Sequence, residues 1–192
     1  MKKVILASGS LSRKQQLERL KITFSTVLPN VNEDELKVKI IDHADLSRQL
    51  SLCKARNISV QYPDAIIIGG DTITSFNGNI MSKPKTSENA IKQLKMLTGN
   101  RHKVITSLAI ILGQKEYLHT SVAHMKMRKL NDTQIARYVE IDKPLESCGS
   151  CRLDSLGISL FENIECEDYT SIIGIPLIWT AKTLTEMGVS VP

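Results

Sequence analysis

The stretch DAIIIGGDTITSFNGNIMSKP, residues 64–84, predicts the centre of the fold. Its four consecutive apolar residues, 65–68, indicate a β-strand that is buried on both faces, as in a parallel sheet covered by helices. We expect this strand to end at the Gly-Gly-Asp sequence of residues 69–71. Asp71 would then follow the carboxyl end of a buried strand, which is where open α/β sheets bind their ligands.

Helices and strands alternate on both sides of this stretch. The hydrophobic patterns predict strands at residues 3–7, 22–27, 72–76, 79–81, 103–112 and 117–127, and helices at residues 11–21, 44–61, 87–98, 131–140 and 176–187. A hairpin is expected where Asn77-Gly78, which is typical of a type I′ turn, separates two strands. Asn131 and Gln134 have the spacing of a helix capping box. This alternation, without internal repeats, predicts an α/β protein.

Length and composition exclude several classes of protein. The 192 residues fit one domain, residues 1–192, with room for two lobes. The net charge of +5 comes from 25 basic residues scattered among 20 acidic ones, without the basic runs and aromatic residues of a nucleic-acid-binding surface. No stretch approaches the roughly 18 apolar residues of a membrane span, and VILA near the N-terminus is too short for a signal peptide. We therefore expect a cytoplasmic protein that binds neither nucleic acid nor membrane.

The four cysteines, at positions 53, 148, 151 and 166, include one C-x-x-C pair. Cys148 and Cys151 have the spacing found in redox motifs and in zinc sites. A zinc site needs a second ligand pair, and none with suitable spacing follows. A thioredoxin-like motif opens a helix after a strand, whereas ESCGSC is typical of a turn. We therefore interpret the pair as coincidental and the cysteines as reduced thiols.

The segment VILASGSLSRKQQLERL, residues 4–20, carries a hydroxyl-rich loop between a strand and a helix. Ser8, Gly9 and Ser10 precede the helix, where free N–H groups and the helix dipole favour an anion. Arg13 adds positive charge in the first turn, which opposes the dipole unless an anion binds. The sequence leaves two interpretations open, a phosphate site and a serine cap with exposed basic side chains. A Walker A loop is excluded because its G-x-x-x-x-G-K-[ST] pattern is absent.

Three further side chains complete a candidate site for a metal-bound polyphosphate. The carboxylate of Asp71 is suited to hold a divalent metal or to accept a proton from water. Lys54, in a predicted helix, and Lys83, in the SKP sequence after the hairpin, are compact charges suited to phosphate oxygens. Each residue alone also fits a structural role, Asp71 in a turn and the lysines on the surface. Their combination with the hydroxyl-rich loop indicates a polyphosphate ligand.

In seven segments the sequence resembles the Maf family of nucleoside triphosphate pyrophosphatases. The segments are ILASGSLSRK (residues 5–14), VNE (31–33), CKA (53–55), GGDT (69–72), SKP (82–84), LTGNRHKVITSLAI (97–110) and GISLFENIECEDYTSIIGIPL (157–177). They follow the order of the family, and the resemblance extends over almost the whole chain. It implies the elongated mixed β-sheet of Maf-like and ITPase-like proteins, flanked by helices, with two lobes around a cleft. It also implies a homodimer.

The resemblance further implies the hydrolysis of a nucleoside triphosphate to the monophosphate and pyrophosphate, with Mg²⁺ or Mn²⁺ as cofactor. It makes Asp71 the catalytic residue, as the general base for the attacking water. Glu33 and Asp71 would hold the metal ion. The phosphates of the substrate would be bound by Ser8, Ser10, Arg13, Lys54 and Lys83.

The choice of nucleotide depends on four positions. The segment PLESCGSCRLDSLGISLFE, residues 144–162, is most similar to the branch that hydrolyses 7-methyl-GTP. That branch has a basic residue and a carboxylate at the positions of Arg152 and Asp154, and a carboxylate suits the N1–H and amino group of guanine. Ser12 and Thr72 also fall on specificity positions but depart from this branch, and threonine at position 72 resembles the dTTP/UTP branch.

We expect 7-methyl-GTP as the substrate, and a dTTP/UTP pyrophosphatase is the alternative within the family. An alternative of a different class is a nucleotide-binding regulator of cell division with low turnover. The two classes differ in their dependence on Asp71, because binding alone does not need a general base.

Overall fold

A computed structural model describes residues 2–191, which form a mixed β-sheet flanked by helices. The strands are β1 (Val4–Ala7), β2 (Ser25–Val27), β3 (Ile66–Phe76), β4 (Asn79–Met81), β5 (Arg101–Leu112), β6 (Lys115–Met127) and β7 (Phe161–Glu165). Their order is β2-β1-β3-β5-β6-β7, and β4 pairs with β3. Strand β1 is parallel to β2 and β3, whereas β4 is antiparallel to β3 and β7 is antiparallel to β6. The predicted α/β class with a mixed sheet is confirmed.

Seven α-helices accompany the strands in the described part of the chain. They are α1 (Leu11–Glu18), α2 (Glu33–Lys39), α3 (His43–Ser59), α4 (Ser87–Leu97), α5 (Asp132–Asp142), α6 (Thr170–Ile173) and α7 (Leu177–Glu186). The predictions of α1, α3, α4, α5 and α7 are confirmed to within a few residues, including the capping box of Asn131 and Gln134. The hydrophobic patterns did not predict α2, α6 or β7. None of the described helices is long and apolar enough to cross a membrane.

Strand β3 is longer than the sequence predicts. Residues 66–69 pair with β1, and the strand continues without a break until residues 74–76 pair with β4. The prediction that it ends at Gly-Gly-Asp was wrong, because pairing before and after the glycines holds the chain extended. Asp71 therefore lies within β3, two residues past the last one that pairs with β1. The hairpin itself is confirmed, with positive φ at Asn77 (48°) and Gly78 (76°).

The chain divides into two compact units. Unit 1 comprises the residues up to Thr72, Thr106–Ser121 and the residues from Asp168 onward, and unit 2 comprises Ile73–Ile105 and Val122–Glu167. In unit 1, successive side chains of β1 and β3 point to opposite faces of the sheet. On the even-numbered face, side chains of β1 and β3 form one apolar cluster with side chains of α1 and α7. The cluster includes Val4, Leu6, Ile66 and Ile68 of the strands and Leu17, Leu177 and Leu184 of the helices. The odd-numbered face clusters with α3, through Ile5, Ala7, Ile67, Leu52, Ala55 and Ile58.

Unit 2 has a separate apolar core, to which α4 contributes Leu94 and α5 contributes Ile135. At its edge, His102 of β5 is buried beside Phe161, with the ring centroids 5.7 Å apart. The Nδ1 atom of His102 has no hydrogen-bond partner among residues 2–191. Burial lowers the pKa of His102 to about 4, so the ring is neutral at pH 7 and acts as part of the core.

Candidate active site

Two neighbouring residues of β3, Asp71 and Thr72, face opposite sides of the sheet in unit 1. Gly69, which shares the side of Asp71, packs so closely on α3 that an added Cβ would lie 2.5 Å from a backbone oxygen of that helix. Gly70, which shares the side of Thr72, is close to Arg13, whose Nε atom would lie 3.2 Å from an added Cβ. The strand thus presents Asp71 to α3 and Thr72 to α1.

Three charged side chains meet on the α3 side, and we call Glu33, Lys54 and Asp71 the carboxylate cluster. The Nζ atom of Lys54 lies 2.7 Å from Oδ1 of Asp71 and 2.9 Å from Oε1 of Glu33. The side chains of Lys54 and Asp71 are only 11% and 10% exposed. Two carboxylates against one ammonium leave a formal charge of −1 (−2 + 1) in the cluster. Lys37, which is 43% exposed and whose Nζ atom lies 3.5 Å from Oε2 of Glu33, balances part of this charge, and an ion pair so exposed is weak enough for a divalent cation to compete with it.

Glu33 is held in its charged form by lysine residues. Burial favours the neutral carboxyl and so tends to raise its pKa. The hydrogen bond and ion pair with Lys54 outweigh burial, and Lys37 adds to them with its Nζ atom 3.5 Å from Oε2 of Glu33. The pKa of Glu33 is therefore held below its usual value. Glu33 begins α2, which has acidic residues in its first turn and lysines in its last, as the helix dipole favours. Because α2 packs against α3, it brings Glu33 to Lys54.

The backbone of Asp71 is also fixed from α3. Ser47 is fully buried, and its hydroxyl donates to the backbone oxygen of Asp71 at 3.3 Å. The same hydroxyl accepts from the backbone N–H of Ser107 at 3.0 Å. One buried side chain therefore links α3, β3 and β5 at the position where the carboxylate is needed.

The α1 side carries a positive charge that has only neutral partners. Arg13 donates from Nη2 to Oγ1 of Thr72 at 3.1 Å and from Nε to the backbone oxygen of Gly174 at 3.2 Å. Within residues 2–191, Arg13 forms no ion pair. Gly174 permits this close approach, since an added Cβ would lie 3.0 Å from Cγ of Arg13. The charge of Arg13 is therefore available to an anionic ligand.

The hydroxyl-rich loop lies between β1 and α1. Ser10 caps α1 by accepting from the backbone N–H of Arg13 at 3.3 Å, and Ser8 accepts from the backbone N–H of Ser10 at 3.1 Å. The capping role that the sequence left open is therefore present at Ser10. Both hydroxyls act as acceptors and donate to no group of residues 2–191, so their protons can bind a ligand oxygen. Capping and phosphate binding are compatible in this loop.

Lys83 belongs to unit 2, where it follows β4. Its Nζ atom lies 3.3 Å from Oε2 of Glu146, and the Nζ atom of Lys85 lies 2.9 Å from the same oxygen. Lys85 and Lys83 hold the pKa of Glu146 below its usual value. The pair of Lys83 is exposed, unlike that of Lys54, and exposed pairs are weak. A triphosphate can therefore compete with Glu146 for Lys83.

Arg152 and Asp154 also belong to unit 2, and they contact each other. The Nη2 atom of Arg152 lies 3.6 Å from Oδ2 of Asp154, and its Nη1 donates to the backbone oxygen of Asp142 at 3.3 Å. The backbone N–H of Arg152 donates to the hydroxyl of Tyr138, whose pKa is raised by burial. Ser12, the remaining specificity candidate, lies half-buried in the first turn of α1 in unit 1.

The first three residues of the C-x-x-C sequence form a 3-10 turn, Cys148–Ser150, which confirms the turn predicted for ESCGSC. Within residues 2–191 the four cysteines form no disulfide with one another. Burial, with a contribution from Asp142, raises the pKa of Cys151 to about 12. A thiol with a raised pKa is a poor nucleophile, which argues against redox chemistry at this pair.

Comparison with known proteins supplies the family. A family model described as Maf-like protein matches residues 3–187. The chain belongs to the Maf family. Its relatives include a protein of Bdellovibrio bacteriovorus named 7-methyl-GTP pyrophosphatase, 38% identical over 95% of this chain and 96% of the relative. A protein of Pseudomonas aeruginosa with the same name is 36% identical, and the match covers 100% of both chains.

A relative named for the other branch of the family has a comparable identity. A protein of Pyrococcus furiosus named dTTP/UTP pyrophosphatase is 37% identical over 98% of this chain and 96% of the relative. The predicted Maf resemblance is confirmed, but overall identity does not separate the branches. The distinction depends on individual residues.

Two Maf-like segments have contacts that the sequence analysis did not assign. Thr106, in LTGNRHKVITSLAI, places Oγ1 3.1 Å from Oγ1 of Thr72. Gly174, in the final segment, accepts the hydrogen bond from Arg13 across 161 positions of sequence. Both residues lie in segments that resemble the Maf family, and that resemblance was the signal that could have identified them. The contact of Gly174 with Arg13 and that of Thr106 with Thr72 depend on long-range packing, which no local pattern reveals.

The carboxylate cluster fits a divalent cation that is bound together with a nucleotide. Among residues 2–191, no group of three or more His, Cys, Asp or Glu side chains is placed to hold a metal ion. Glu33 and Asp71 supply two carboxylates, both in contact with the Nζ atom of Lys54. Mg²⁺ is commonly held by one or two carboxylates, with substrate phosphates and water as the remaining ligands. The donor set of this Maf protein matches that pattern.

Proposed function

We propose that this protein hydrolyses a nucleoside triphosphate to the nucleoside monophosphate and pyrophosphate. The observation that carries the proposal is the opposite charge on the two sides of β3. The carboxylate cluster has a formal charge of −1, while Arg13 is positive and has only neutral partners. A triphosphate with a bound divalent cation is complementary to both. The relatives named as nucleotide pyrophosphatases support the same activity.

In the proposed mechanism, Asp71 accepts a proton from water while the water oxygen attacks the α-phosphorus. The bond from the α-phosphorus to the bridging oxygen breaks, and that oxygen leaves with the pyrophosphate. Lys54 orients the accepting carboxylate through its contact at 2.7 Å, and Ser47 fixes the backbone behind it. Glu33 and Asp71 would hold Mg²⁺ or Mn²⁺, which neutralises charge on the phosphate oxygens.

The phosphates would be bound by donors of different strength. The guanidinium of Arg13 and the ammonium of Lys83 offer charge-assisted hydrogen bonds. The hydroxyls of Ser8 and Ser10 add neutral donors next to the N-terminus of α1, where the helix dipole favours an anion. Lys54 can also neutralise a phosphate oxygen.

We propose 7-methyl-GTP as the preferred substrate. Asp154 offers a carboxylate to the N1–H and amino group of a guanine, and its negative charge also favours a methylated, positively charged ring. Arg152 holds that carboxylate at 3.6 Å and so limits its orientation. Thr72 favours the alternative, a dTTP/UTP pyrophosphatase, because it resembles that branch. A cytoplasmic location and a homodimer stay predictions.

Pyrophosphate release from a nucleotide panel tests the proposal. The panel contains 7-methyl-GTP, GTP, dTTP, UTP and CTP, each with Mg²⁺ or Mn²⁺, and Asp71→Asn is the control. We expect the fastest release from 7-methyl-GTP, and a loss of about a thousandfold in kcat for Asp71→Asn with nucleotide affinity retained, since general-base catalysis supplies about 10²–10⁴-fold.

Each result of the panel decides between the alternatives. Preference for dTTP or UTP would retain the pyrophosphatase and assign it to the other branch, with Thr72 as the specificity residue. No release from any nucleotide, with binding intact, would overturn the enzyme and support the nucleotide-binding regulator.

A further inference from the structure

A chain of hydroxyl groups continues from Thr72 away from Arg13. Oγ1 of Thr72 lies 3.1 Å from Oγ1 of Thr106, which in turn lies 2.7 Å from the backbone oxygen of Ser171. Together with the 3.1 Å contact from Nη2 of Arg13 to Thr72, these atoms form one continuous path within unit 1. We call it the hydroxyl chain. Thr106 is buried at 1% exposure, so its hydroxyl depends on these protein partners.

Thr106 is the donor of both of its contacts in the hydroxyl chain. Its hydroxyl donates to the carbonyl of Ser171 at 2.7 Å and, at the longer distance of 3.1 Å, to Oγ1 of Thr72. The oxygen of Thr72 accepts from Thr106 and from Nη2 of Arg13, which uses both of its lone pairs. These two donors hold the Thr72 hydroxyl between them, so Thr72 presents a lone pair in a fixed direction to the guanidinium.

The backbone that ends the hydroxyl chain is itself fixed. The buried carboxylate of Asp168 accepts from the backbone N–H and the hydroxyl of Thr170 and from a backbone N–H in the first turn of α7. The segment closed in this way carries both the carbonyl of Ser171 and the carbonyl of Gly174. Arg13 is thus held against one restrained segment at two points, directly through Nε and indirectly through the hydroxyl chain.

We propose that Thr106 is a positioning residue that, through Thr72, sets the orientation of Arg13 toward a phosphate of the substrate. The inference rests on the proposed function, which assigns Arg13 to phosphate. Two of the five N–H donors of Arg13 are used by the protein, which directs the remaining ones. Without the Thr106 hydroxyl, Thr72 loses one of its two hydrogen-bond donors and can rotate. Arg13 then meets the phosphate in more than one geometry.

Kinetics of Thr106→Val and Thr106→Ser test this role. Valine keeps the shape of threonine and removes the hydroxyl, whereas serine keeps the hydroxyl. We expect Thr106→Val to lower kcat/KM by about tenfold, the effect of one or two lost hydrogen bonds. The loss should be the same for every nucleotide of the panel, because all of them carry the phosphates that Arg13 meets. Thr106→Ser should recover activity to within about twofold of the wild type.

Thr180→Val is the matched control. Thr180 is also a fully buried threonine of unit 1, and its hydroxyl also donates to a backbone oxygen at 2.7 Å, that of Pro176. Among residues 2–191, no chain of hydrogen bonds connects the Thr180 hydroxyl to Arg13. We expect similar destabilisation from Thr180→Val and from Thr106→Val in urea unfolding, with activity lost only in the latter. Equal activity losses in the two variants would overturn the proposal.

The background variant Arg13→Lys separates positioning from a general structural effect. Lysine keeps the charge but cannot make the two directed contacts of arginine. In this background, Thr106→Val should have no further effect on kcat/KM. A further tenfold loss would mean that Thr106 acts independently of Arg13, and the proposal would be wrong.

An NMR measurement makes the test independent of turnover. In protein labelled with ¹⁵N-arginine, the Nε–H signal of Arg13 is assigned by its absence in Arg13→Lys. We expect about tenfold faster exchange of this proton in Thr106→Val and an unchanged signal in Thr180→Val. If the wild type releases no pyrophosphate, the proposed function fails, and the NMR result still decides the positioning of Arg13. An unchanged Arg13 signal in Thr106→Val would overturn the positioning role whatever the activity.

Discussion

The two sides of β3 hold groups of opposite charge, although the strand residues that contact these groups, Asp71 and Thr72, are adjacent in the sequence. On the α3 side, Asp71 is buried and shares an ammonium with a second carboxylate. On the α1 side, Arg13 is held by a hydroxyl and a carbonyl, both neutral. The alternation of the strand keeps Arg13 from pairing with Asp71. Adjacent residues of one strand can therefore hold groups of opposite charge on its two faces, where the charges do not neutralise each other.

Among the substitutions considered, removal of the cation on each side of β3 should have the largest effect on stability. Lys54→Met leaves the buried carboxylate of Asp71 without its counter-ion beside a second carboxylate, Glu33, which keeps only Lys37, and we expect a loss of about 3 kcal/mol in the free energy of unfolding. Arg13→Met removes two hydrogen bonds to neutral acceptors and should cost about 1–2 kcal/mol. Urea unfolding of both variants at pH 7 measures the difference.

The double variant Lys54→Met/Asp71→Asn is the control for this interpretation. It removes the repulsion between carboxylates and should recover part of the stability lost in Lys54→Met. Equal losses in the two single variants, or no recovery in the double variant, would contradict the assignment of buried charge to the α3 side.

The two sides of β3 also differ in how closely their neighbours pack against the adjacent glycines Gly69 and Gly70. In Gly69→Ala the new Cβ would lie 2.5 Å from the backbone oxygen of Ser51, which must move with its helix. We expect a loss of about 2–3 kcal/mol and displacement of Lys54. In Gly70→Ala the closest atoms, 2.9 Å from a side chain of β5 and 3.2 Å from Nε of Arg13, are mobile ends of side chains.

Gly70→Ala should therefore cost about 1 kcal/mol while raising KM through the displaced arginine. Thermal unfolding and steady-state kinetics on the same two proteins make the measurement. The prediction fails if Gly70→Ala is the more destabilising variant.

The pH dependence of stability gives the smallest effect. The pKa of Glu33 is lower in the folded protein than in the unfolded chain, because the contacts with Lys54 and Lys37 outweigh burial. Its contribution is therefore fully present above about pH 4.5 and is lost as the pH falls through the folded-state pKa. Glu33 is 38% exposed, so we expect only about 0.5 kcal/mol.

The measurement is the difference in unfolding free energy between wild type and Glu33→Gln at pH 7, 5, 4 and 3. The difference should shrink below pH 4.5. His102 also destabilises the fold as the pH falls from about 6.5 toward 4, because the unfolded chain binds its proton more readily. That effect is common to both proteins and cancels. A difference that stays constant down to pH 3 would contradict the role of the lysines.

Local chemistry made much of the fold predictable. The capping box of Asn131 and Gln134 and the turn at Asn77-Gly78 depend on neighbours within a few residues, and both are present. The extent of β3 was not predictable, since the glycines are held extended by strands from other parts of the chain. Helix α2 has no buried residue, so hydrophobic periodicity could not reveal it.

The candidate site divides in the same way. The segments that hold the candidate site residues were recognisable as a set that resembles the Maf family, and the family match over residues 3–187 confirms that resemblance. The sequence included Lys54 and Glu33 among the expected site residues. It did not show that the Nζ atom of Lys54 lies 2.9 Å from Oε1 of Glu33. Thr106 was inside a recognised segment, but its hydroxyl had no assigned role.

The sequence by itself determined the family and the α/β class. These depend on short-range periodicity and on residue type. Only the tertiary structure decided that Lys54 joins two carboxylates and that Arg13 is held by Thr72 and Gly174, 59 and 161 positions away. Such contacts depend on the register of strands and the packing of helices, which the whole chain sets together.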